Sequence, residues 1–474
     1  MKALTLKDLG LGDDTPLTGL SCDSRLVEAG HLFAALPGSA LDGRDFIPQA
    51  VERGAAAILS TPDADTMGLP LLASDDPRLE YTRIAKRLYP EQPDLVVAVT
   101  GTNGKSSTVE FLRQIWQSAG HQSACFGTLG VRTKDGLSPM SHTTPDALAL
   151  HVTLSELETS GVTHAAMEAS SHGLDQRRMD EVTLTAAGFT NLTQDHYDYH
   201  GTPEAYFEAK ARLFRELLPK SCPVVIMVDD EAGRTLNNIC EELGFPVTTV
   251  GWSGRDVRIA EIMPRAASQM LTLIIDGDRH QVELPLAAEF QALNAVTALG
   301  LAMVTGVSKE DALKGLKSLS GVAGRLEMAG RNKSNGAPVF VDFAHTEDGL
   351  SKLLRSVRPH VEGKLRVVFG CGGDRDANKR PKMGAVACKL ADDVIVTDDN
   401  PRSEVPSAIR AEVLAGCPAA TEIGDRRDAI AEGIARLEEG DCLVVAGKGH
   451  EQGQIVGDTV IPFNDVTVVQ ELLT

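Results

Sequence analysis

The feature that most narrows the fold lies at residues 96–107, where Val96-Val97-Ala98-Val99-Thr100 runs into Gly101-Thr102-Asn103-Gly104-Lys105-Ser106-Ser107. A β-branched run, a Gly-rich turn, Lys-Ser and a helical pattern follow one another, which reads as strand, turn, helix. That order builds a phosphate cradle. Backbone N–H groups point inward, the helix N-terminus adds positive potential, and Lys105 supplies a point charge. The Ser106 hydroxyl stands where a Mg²⁺ beside the phosphates would take it as a ligand. The form is shortened, because the first glycine of the full Walker pattern would fall at Val99.

At 474 residues the chain exceeds one ordinary core, and about three domains are expected. Tyr89–Asp94 is polar and carries two prolines, so it reads as a linker. Strands alternate with helices from Leu95 to about Gly324, and a new unit begins near Arg325. The expected domains are 1–90, 91–324 and 325–474. All three are α/β: the central one is a P-loop domain with a mostly parallel sheet, and the C-terminal one is Rossmann-like. No apolar run approaches the ~20 residues that span a bilayer, and the N-terminus lacks an apolar signal core. A cytoplasmic, monomeric chain without membrane insertion is expected. The net charge of −20, from 46 basic and 66 acidic residues, argues against a nucleic-acid partner, whose binding requires a basic surface. It leaves room for anionic small ligands at a local cluster. Eight scattered cysteines form no Cys-x-x-Cys pair, and buried free thiols are the expectation.

In an α/β sheet, ligands bind beyond the carboxyl ends of the strands. Glu168 ends the apolar run His164–Met167 as the Gly-rich turn ends its own strand, so both should face one crevice. Its oxygens suit Mg²⁺, although a strand-end acid is also an ordinary solvated residue. The segment Thr190–His200 packs two His, two Asp and two Tyr into eleven residues, with His196 between Asp195 and Asp198. The helical segment from Thr202 carries a Thr cap, Pro203 and an early Glu. Lys210 falls inside its apolar stripe. Such a lysine either snorkels or is a desolvated amine of lowered pKa, able to take up CO₂ as an anionic carbamate that suits a second Mg²⁺. Thr143-Thr144 and Ser170–Arg178 supply donors for a carboxylate or pyrophosphate, or else simple caps and a solvated basic pair.

After Arg325, four strands each end in a loop rich in Gly, Arg, Asp or His. These are Asp342–Thr346, Gly370–Arg380, Asp398–Arg402 and Gly447–Gly453. Each alone reads as a turn, whereas four together read as one functional rim.

These motifs, in this order and along essentially the whole chain, resemble the Mur ligases of peptidoglycan synthesis. The resemblance rests on Gly-Thr-Asn-Gly-Lys, Met-Glu-Ala-Ser-Ser-His, Asp-His-Tyr-Asp-Tyr-His-Gly, Gly-Cys-Gly-Gly-Asp-Arg-Asp and Gly-Lys-Gly-His-Glu, with Asp23-Ser24-Arg25 in the N-terminal unit. It implies ATP on Gly101, Thr102, Asn103, Gly104, Lys105, Ser106 and Ser107, with Asn294 and His345 toward the adenine or ribose, and Arg325 as a further ATP-binding residue at the hinge between the second and third domains. It implies Mg²⁺ on Ser106, Glu168 and His196, and a carbamylated Lys210 as a further ligand. Lys105, Glu168, His196 and Lys210 are thereby the catalytic set. UDP-MurNAc-L-Ala-D-Glu would lie on Thr143, Thr144, Ser170, Gln176 and Arg178, its uridine end on Cys22, Ser24, Ser39, Ala40 and Leu41.

Asp399-Asn400-Pro401-Arg402 matches the family's signature for meso-diaminopimelate, completed by Arg375, Gly447 and Glu451. Diaminopimelate carries a carboxylate that lysine lacks, which Arg402 can bind bidentately. The implied reaction is ATP-dependent formation of a peptide bond through an acyl phosphate. Closure of the third domain over the second is expected, with hinges at 89–94 and 320–326. Three departures stand out: Ser39-Ala40-Leu41 replaces a common His-Gln pair, Ser107 replaces a usual Thr, and Gln-Gly-Gln follows Glu451. The alternatives are a folylpolyglutamate synthetase-like amide ligase, a lysine-adding Mur ligase, and a nucleotide-gated binding protein.

Overall fold

The structure is a computed structural model that describes residues 2–12, 14–38, 41–140 and 142–474. The chain is α/β throughout and divides into two compact units, 1–249 with 300–308 and 250–299 with 309–474.

The first unit begins with a four-stranded parallel sheet in the order Gly19–Ser21, His31–Ala34, Ala57–Ser60, Leu71–Ala73. The helix Pro77–Leu88 covers it. Asp76 caps that helix by accepting from the Leu79 N–H, and Pro77 occupies the first turn, where a missing N–H costs nothing. Leu32, Leu59, Tyr81, Ile84 and Leu88 form its core together with Ala147, which opens the helix Ala147–Thr159.

The central sheet of this unit places Leu95–Thr100 between His164–Glu168 and Ala186–Phe189, all parallel. Ser123–Gly127 lies outside one neighbour and Val224–Met227 outside the other. An antiparallel pair, Gly130–Thr133 and Gly136–Ser138, closes one edge. The near-continuous Val/Ala/Phe runs fit strands buried on both faces. The helix Lys105–Ser118 buries Val109, Phe111, Leu112, Ile115 and Trp116, and the Trp116 indole donates to Thr305 Oγ1 at 3.0 Å.

The second unit holds an antiparallel meander, Val257–Arg265, Ser268–Ile275 and Asp278–Leu284. Continued strand–helix alternation to Gly324 is the sequence expectation, and the meander departs from it. Asp276 and Gly277 sit at φ +54° and +85° between the last two strands, a two-residue Asp-Gly turn of the kind that closes hairpins. The six-stranded sheet of this unit runs Glu327–Arg331, Pro338–Asp342, Cys442–Ala446, Leu365–Phe369, Asp393–Val396, Thr421–Glu422, with only the first strand antiparallel. The four Gly- and Arg-rich loops therefore leave the same end of the sheet. Among the described residues, no helix is long and apolar enough to cross a membrane.

His151 lies fully buried on the helix Ala147–Thr159, and neither ring nitrogen has a hydrogen-bond partner. Burial first, and Lys86 second, lowers its pKa to about 4 from 6.5. The folded value lies below the unfolded one, so His151's contribution to stability is complete above pH 6.5 and falls away as pH drops toward 4. At about 1.4 kcal/mol per pKa unit, the loss across that window is roughly 3 kcal/mol. Denaturant melts of His151→Leu at a series of pH values should show a flatter decline than the parent by that amount; parallel curves would contradict it.

Candidate active site

The strand Leu95–Thr100 delivers the chain to a turn whose glycines are required by geometry. Gly101 has φ +144°, and a Cβ there would stand 2.0 Å from Thr190 Oγ1; Gly104, at φ +88°, precedes the first residue of the helix. The turn is cinched to residues 190–193. The Thr102 N–H donates to the Asn191 carbonyl (2.8 Å), the Asn103 N–H to Asn191 Oδ1 (3.1 Å), and Thr190 Oγ1 to the Asn103 carbonyl (2.7 Å). These bonds fix the turn against the strand end at Phe189.

Two lysine amines converge on it. Lys105 Nζ donates to the carbonyls of Gly101 (3.0 Å) and Thr102 (2.8 Å), and Lys210 Nζ donates to the same Gly101 carbonyl at 2.9 Å. Lys210 is only 1% exposed, and its amine lies 4.4 Å from the Tyr206 ring centroid. Burial, and then the charge of Lys105, holds Lys210 well below the ordinary lysine range. Tyr206 is fixed in turn by a 3.2 Å hydrogen bond with Thr102 Oγ1, and burial pushes its phenol up to about 12. Of the two readings for Lys210, the buried amine is the one observed.

Glu168 is buried, and its backbone pairs in register with Val99 on the strand that leads into the turn. It accepts from the Thr128 N–H (2.8 Å) and Thr128 Oγ1 (3.2 Å). Ser107 is buried and Ser106 half-buried at the helix start. His196 sits at φ +51° ahead of the short helix Tyr197–His200, half-exposed, 3.5 Å from Asp195 and edge-on to His172. Among the described residues, no three His, Cys, Asp or Glu side chains stand at metal-holding spacing. The candidate Mg²⁺ set has a different composition: one hydroxyl, one buried carboxylate, one imidazole and an amine that must first become an anion. Of these, the Ser106 hydroxyl and the Glu168 carboxylate are hard oxygen donors of the kind that suits that ion.

Thr144, Ser170, Gln176 and Arg178 form one network. Thr144 Oγ1 donates to the Glu168 carbonyl (2.9 Å) and accepts from Ser170 Oγ (3.0 Å), while Arg178 donates to the Thr144 carbonyl and to Gln176 Oε1 (2.6 Å each). Thr143 Oγ1 meets Thr128 Oγ1 at 2.9 Å. A cavity of about 130 Å³ is lined by Cys22, Arg78, Tyr81, Asp146, Gln176 and Arg178, among others. Ser24 is buried against Gln49, and Leu41 is exposed; Ser39 and Ala40 lie outside the described residues. Sequence reasoning missed Tyr81, which donates to Asp146 at 3.0 Å, and Thr128.

In the second unit, Asn294 is buried on the helix Glu289–Val304, while Arg325, His345 and His450 gather around the Phe343 ring. The rim expected from its loops is built on two buried ion networks. Arg426 and Asp465 are both fully buried and joined by two 2.7 Å bonds, and Arg426 also donates to the Ala446 carbonyl. Lys448, fully buried, donates to Asn400 Oδ1 (2.9 Å) and Glu451 Oε2 (3.0 Å). Asp399 is buried beside them, and burial raises its pKa. A Cβ on Gly447 would fall 2.6 Å from Asp399 Oδ2. Arg402 is half-buried and Pro401 buried, and Arg375 lies near Gly372. Arg426, Asp465 and Lys448 escaped the sequence reading because a charged side chain in a polar run normally faces water.

A Gly-rich strand-to-helix turn, a buried lysine of lowered pKa and an arginine-bearing rim fit an α/β protein of nucleotide-dependent group transfer. The chain belongs to the Mur ligase family: the family models described as "Mur ligase family, catalytic domain", "Mur ligase middle domain" and "Mur ligase, glutamate ligase domain" match residues 16–91, 99–302 and 324–449. Two curated relatives bear the name UDP-N-acetylmuramoyl-L-alanyl-D-glutamate–2,6-diaminopimelate ligase. That of Brucella melitensis biotype 1 is 50% identical over 459 residues, 96% of this chain and 94% of the relative. That of Agrobacterium fabrum is 49% identical over 473 residues, 100% of this chain and 96% of the relative. A solved structure of an enzyme with that name superposes with a TM-score of 0.76 at 33% identity, covering 100% of this chain and 99% of the other.

Removing Asp465 leaves the Arg426 charge buried and unpaired, at a cost of about 3–5 kcal/mol. Asp465→Ala should lower stability by that amount in chemical denaturation, and a loss below 1 kcal/mol would show that the pair does not hold the rim.

Proposed function

We propose that this chain is an ATP-dependent ligase that joins meso-diaminopimelate to UDP-MurNAc-L-Ala-D-Glu, in the cytoplasm, as a step of peptidoglycan biosynthesis. The observation that carries this reading is the 50% identity, over 96% of the chain, to a relative named for that reaction. Domains at 1–90, 91–324 and 325–474 would hold the uridine nucleotide, ATP and the amino acid in turn.

A carboxylate does not condense with an amine at neutral pH, so it is activated first. The D-glutamyl γ-carboxylate attacks the γ-phosphorus of ATP, ADP leaves, and an acyl phosphate forms. The diaminopimelate amine then adds to the acyl carbon, and inorganic phosphate leaves as the amide forms. Residues 101–107 cradle the phosphates with backbone N–H groups, and Lys105 offsets charge on the transferred phosphoryl group. Asn294 and His345 are assigned to the adenine or ribose, and Arg325 is a further ATP-binding residue. Thr143, Thr144, Ser170, Gln176 and Arg178 orient the dipeptide, and Cys22 and Ser24 serve its uridine end.

Lys210 is suited to carbamylation because burial favours its neutral amine, the form that adds to CO₂ with loss of a proton. The carbamate would place an anion beside the Lys105 cation, where the bare amine offers no compensating charge. Ser106, Glu168, His196 and this carbamate would hold Mg²⁺, which supplies further neutralisation of phosphoryl charge when bound. In the second unit, Arg402 reads the distal carboxylate of diaminopimelate and Glu451 takes its ammonium, with Arg375, Asp399, Asn400, Pro401 and Gly447 shaping the site.

Sustained ADP production should require both UDP-MurNAc-L-Ala-D-Glu and meso-diaminopimelate; turnover with a folate acceptor, or equal use of L-lysine, would overturn the assignment. Lys210→Ala should lose most activity, with partial recovery on adding bicarbonate and a small carboxylic acid, whereas full activity would refute the carbamate. Arg402→Ala removes charge-assisted hydrogen bonds of about 1.5–3 kcal/mol, so the KM for diaminopimelate should rise roughly ten- to hundredfold while that for ATP holds. Equal losses for both substrates would contradict the role given to Arg402.

A further inference from the structure

We propose that the β-hairpin Gly453–Pro462 is the selectivity element for the amine substrate, with Gln454 and Lys448 as positioning residues that set Arg402, Asn400 and Glu451. The inference rests on the reading that diaminopimelate binds at this rim.

The hairpin pairs Gly453–Val456 with Thr459–Pro462 across a Gly457-Asp458 turn. It stands apart from the six-stranded sheet, and its hydrogen bonds go to the Asp399–Arg402 loop. The Arg402 N–H donates to the Ile455 carbonyl (3.0 Å), and the Arg402 carbonyl accepts from the Gly457 N–H (2.8 Å). Arg402 thus adds to the hairpin as a short parallel bridge opposite Val456. It does so at φ +51°, a conformation that a residue with a side chain keeps only when its surroundings hold it. Gln454 Nε2 donates to the Asp399 carbonyl at 2.6 Å, and the Ile455 N–H donates to Asn400 Oδ1 at 2.9 Å.

Lys448 completes the arrangement from beneath. Its amine and the Ile455 N–H both donate to Asn400 Oδ1, which settles the orientation of that amide: Nδ2 then donates to Glu451 Oε2 at 2.9 Å. The base of the hairpin is tied by Phe463 N–H to the Gln452 carbonyl (3.1 Å) and by Asn464 Nδ2 to the Glu451 carbonyl (3.2 Å).

The result is a pair of presented groups. Arg402 Nη1 is occupied by the carbonyls of Gly373 (2.8 Å) and Asn400 (3.4 Å), while Nε and Nη2 have no protein partner among the described residues. Glu451 is engaged through Oε2, and Oε1 has no protein partner among the described residues. One cationic edge and one carboxylate oxygen complement the carboxylate and ammonium of an amino-acid terminus. An acceptor that lacks the carboxylate, such as lysine, gains nothing from the placement of Arg402. Loosening that placement therefore penalises diaminopimelate selectively.

The test uses the full chain with Gln454→Leu and, separately, Lys448→Met. Each keeps bulk and removes donors. Steady-state kinetics are measured for meso-diaminopimelate, L-lysine, ATP and UDP-MurNAc-L-Ala-D-Glu, alongside thermal melts. The expected result is a KM for meso-diaminopimelate at least tenfold higher, with KM values for ATP and the nucleotide dipeptide within twofold of the parent. The kcat/KM ratio of diaminopimelate to lysine should fall at least tenfold. A proportionate rise in all KM values, or an unchanged ratio in variants that melt like the parent, would overturn the proposal. If Lys448→Met does not fold, Lys448→Gln, which retains a donor, should fold and show a smaller fall in the ratio; parental selectivity there and in Gln454→Leu counts against the hairpin. A parent chain that does not ligate diaminopimelate would refute the functional reading, whereas a parent that does, with variants of parental selectivity, would refute this inference alone.

Discussion

One carbonyl oxygen organises the first unit. Gly101 accepts from Lys105 at 3.0 Å and from Lys210 at 2.9 Å, so two amines that would both be cations in water share a single acceptor in a desolvated place. Like charges this close raise each other's free energy, and burial removes the water that would screen them. The cheapest relief is for the more buried amine to shed its proton. Lys210 is that amine, because Lys105 stands half-buried at a helix N-terminus facing the cradle. Much of the surrounding architecture serves this juxtaposition. The glycines let the turn approach Thr190, residues 190–193 hold it there, and Tyr206 braces Lys210 from the other side while bonded to Thr102.

The second unit solves a different problem with buried charge. Loops at strand ends are ordinarily mobile, yet a site that reads two charged groups of one small molecule needs them fixed. Here the loops are tied by ion networks beneath them and by a hairpin above. Arg426 and Asp465 join the helix Arg426–Ala435 to the helix Asp465–Leu472, and Arg426 also reaches the Ala446 carbonyl at the root of the Gly447 loop. Arg380 does the same for the Gly370 loop, donating to the Gly372 carbonyl and to Glu404. Buried pairs of this kind add little net stability, but breaking one leaves an uncompensated charge, so they enforce one geometry.

Much of this was legible from residue order. The strand Leu95–Thr100, the helix Lys105–Ser118 and the four rim loops follow from β-branched runs, glycine placement and strand-end logic, because those signals are local. Lys210 was legible only as a choice between snorkelling and burial. The turn that lies over it comes from more than a hundred residues away, and spacing along one helix cannot report that. The antiparallel meander was missed although Asp276-Gly277 marks it, since alternation of strands and helices upstream set the wrong expectation. The hairpin after Glu451 carries a Gly-Asp turn between apolar residues, yet its importance lies in backbone bonds to Arg402 that no side-chain pattern encodes. Lys448 and Arg426 were opaque for the same reason: their partners, Asn400 and Asp465, are set by tertiary contact.

The central claim is that burial and the charge of Lys105 hold the Lys210 amine well below the ordinary lysine range in the folded protein. Nuclear magnetic resonance titration of the Lys210 side chain, in protein carrying ¹³C-labelled lysine and kept in CO₂-free buffer, reads this directly. The account predicts a midpoint far below the other lysines that moves back toward them in Lys105→Met. A midpoint in the ordinary lysine range, unchanged by Lys105→Met, would contradict it.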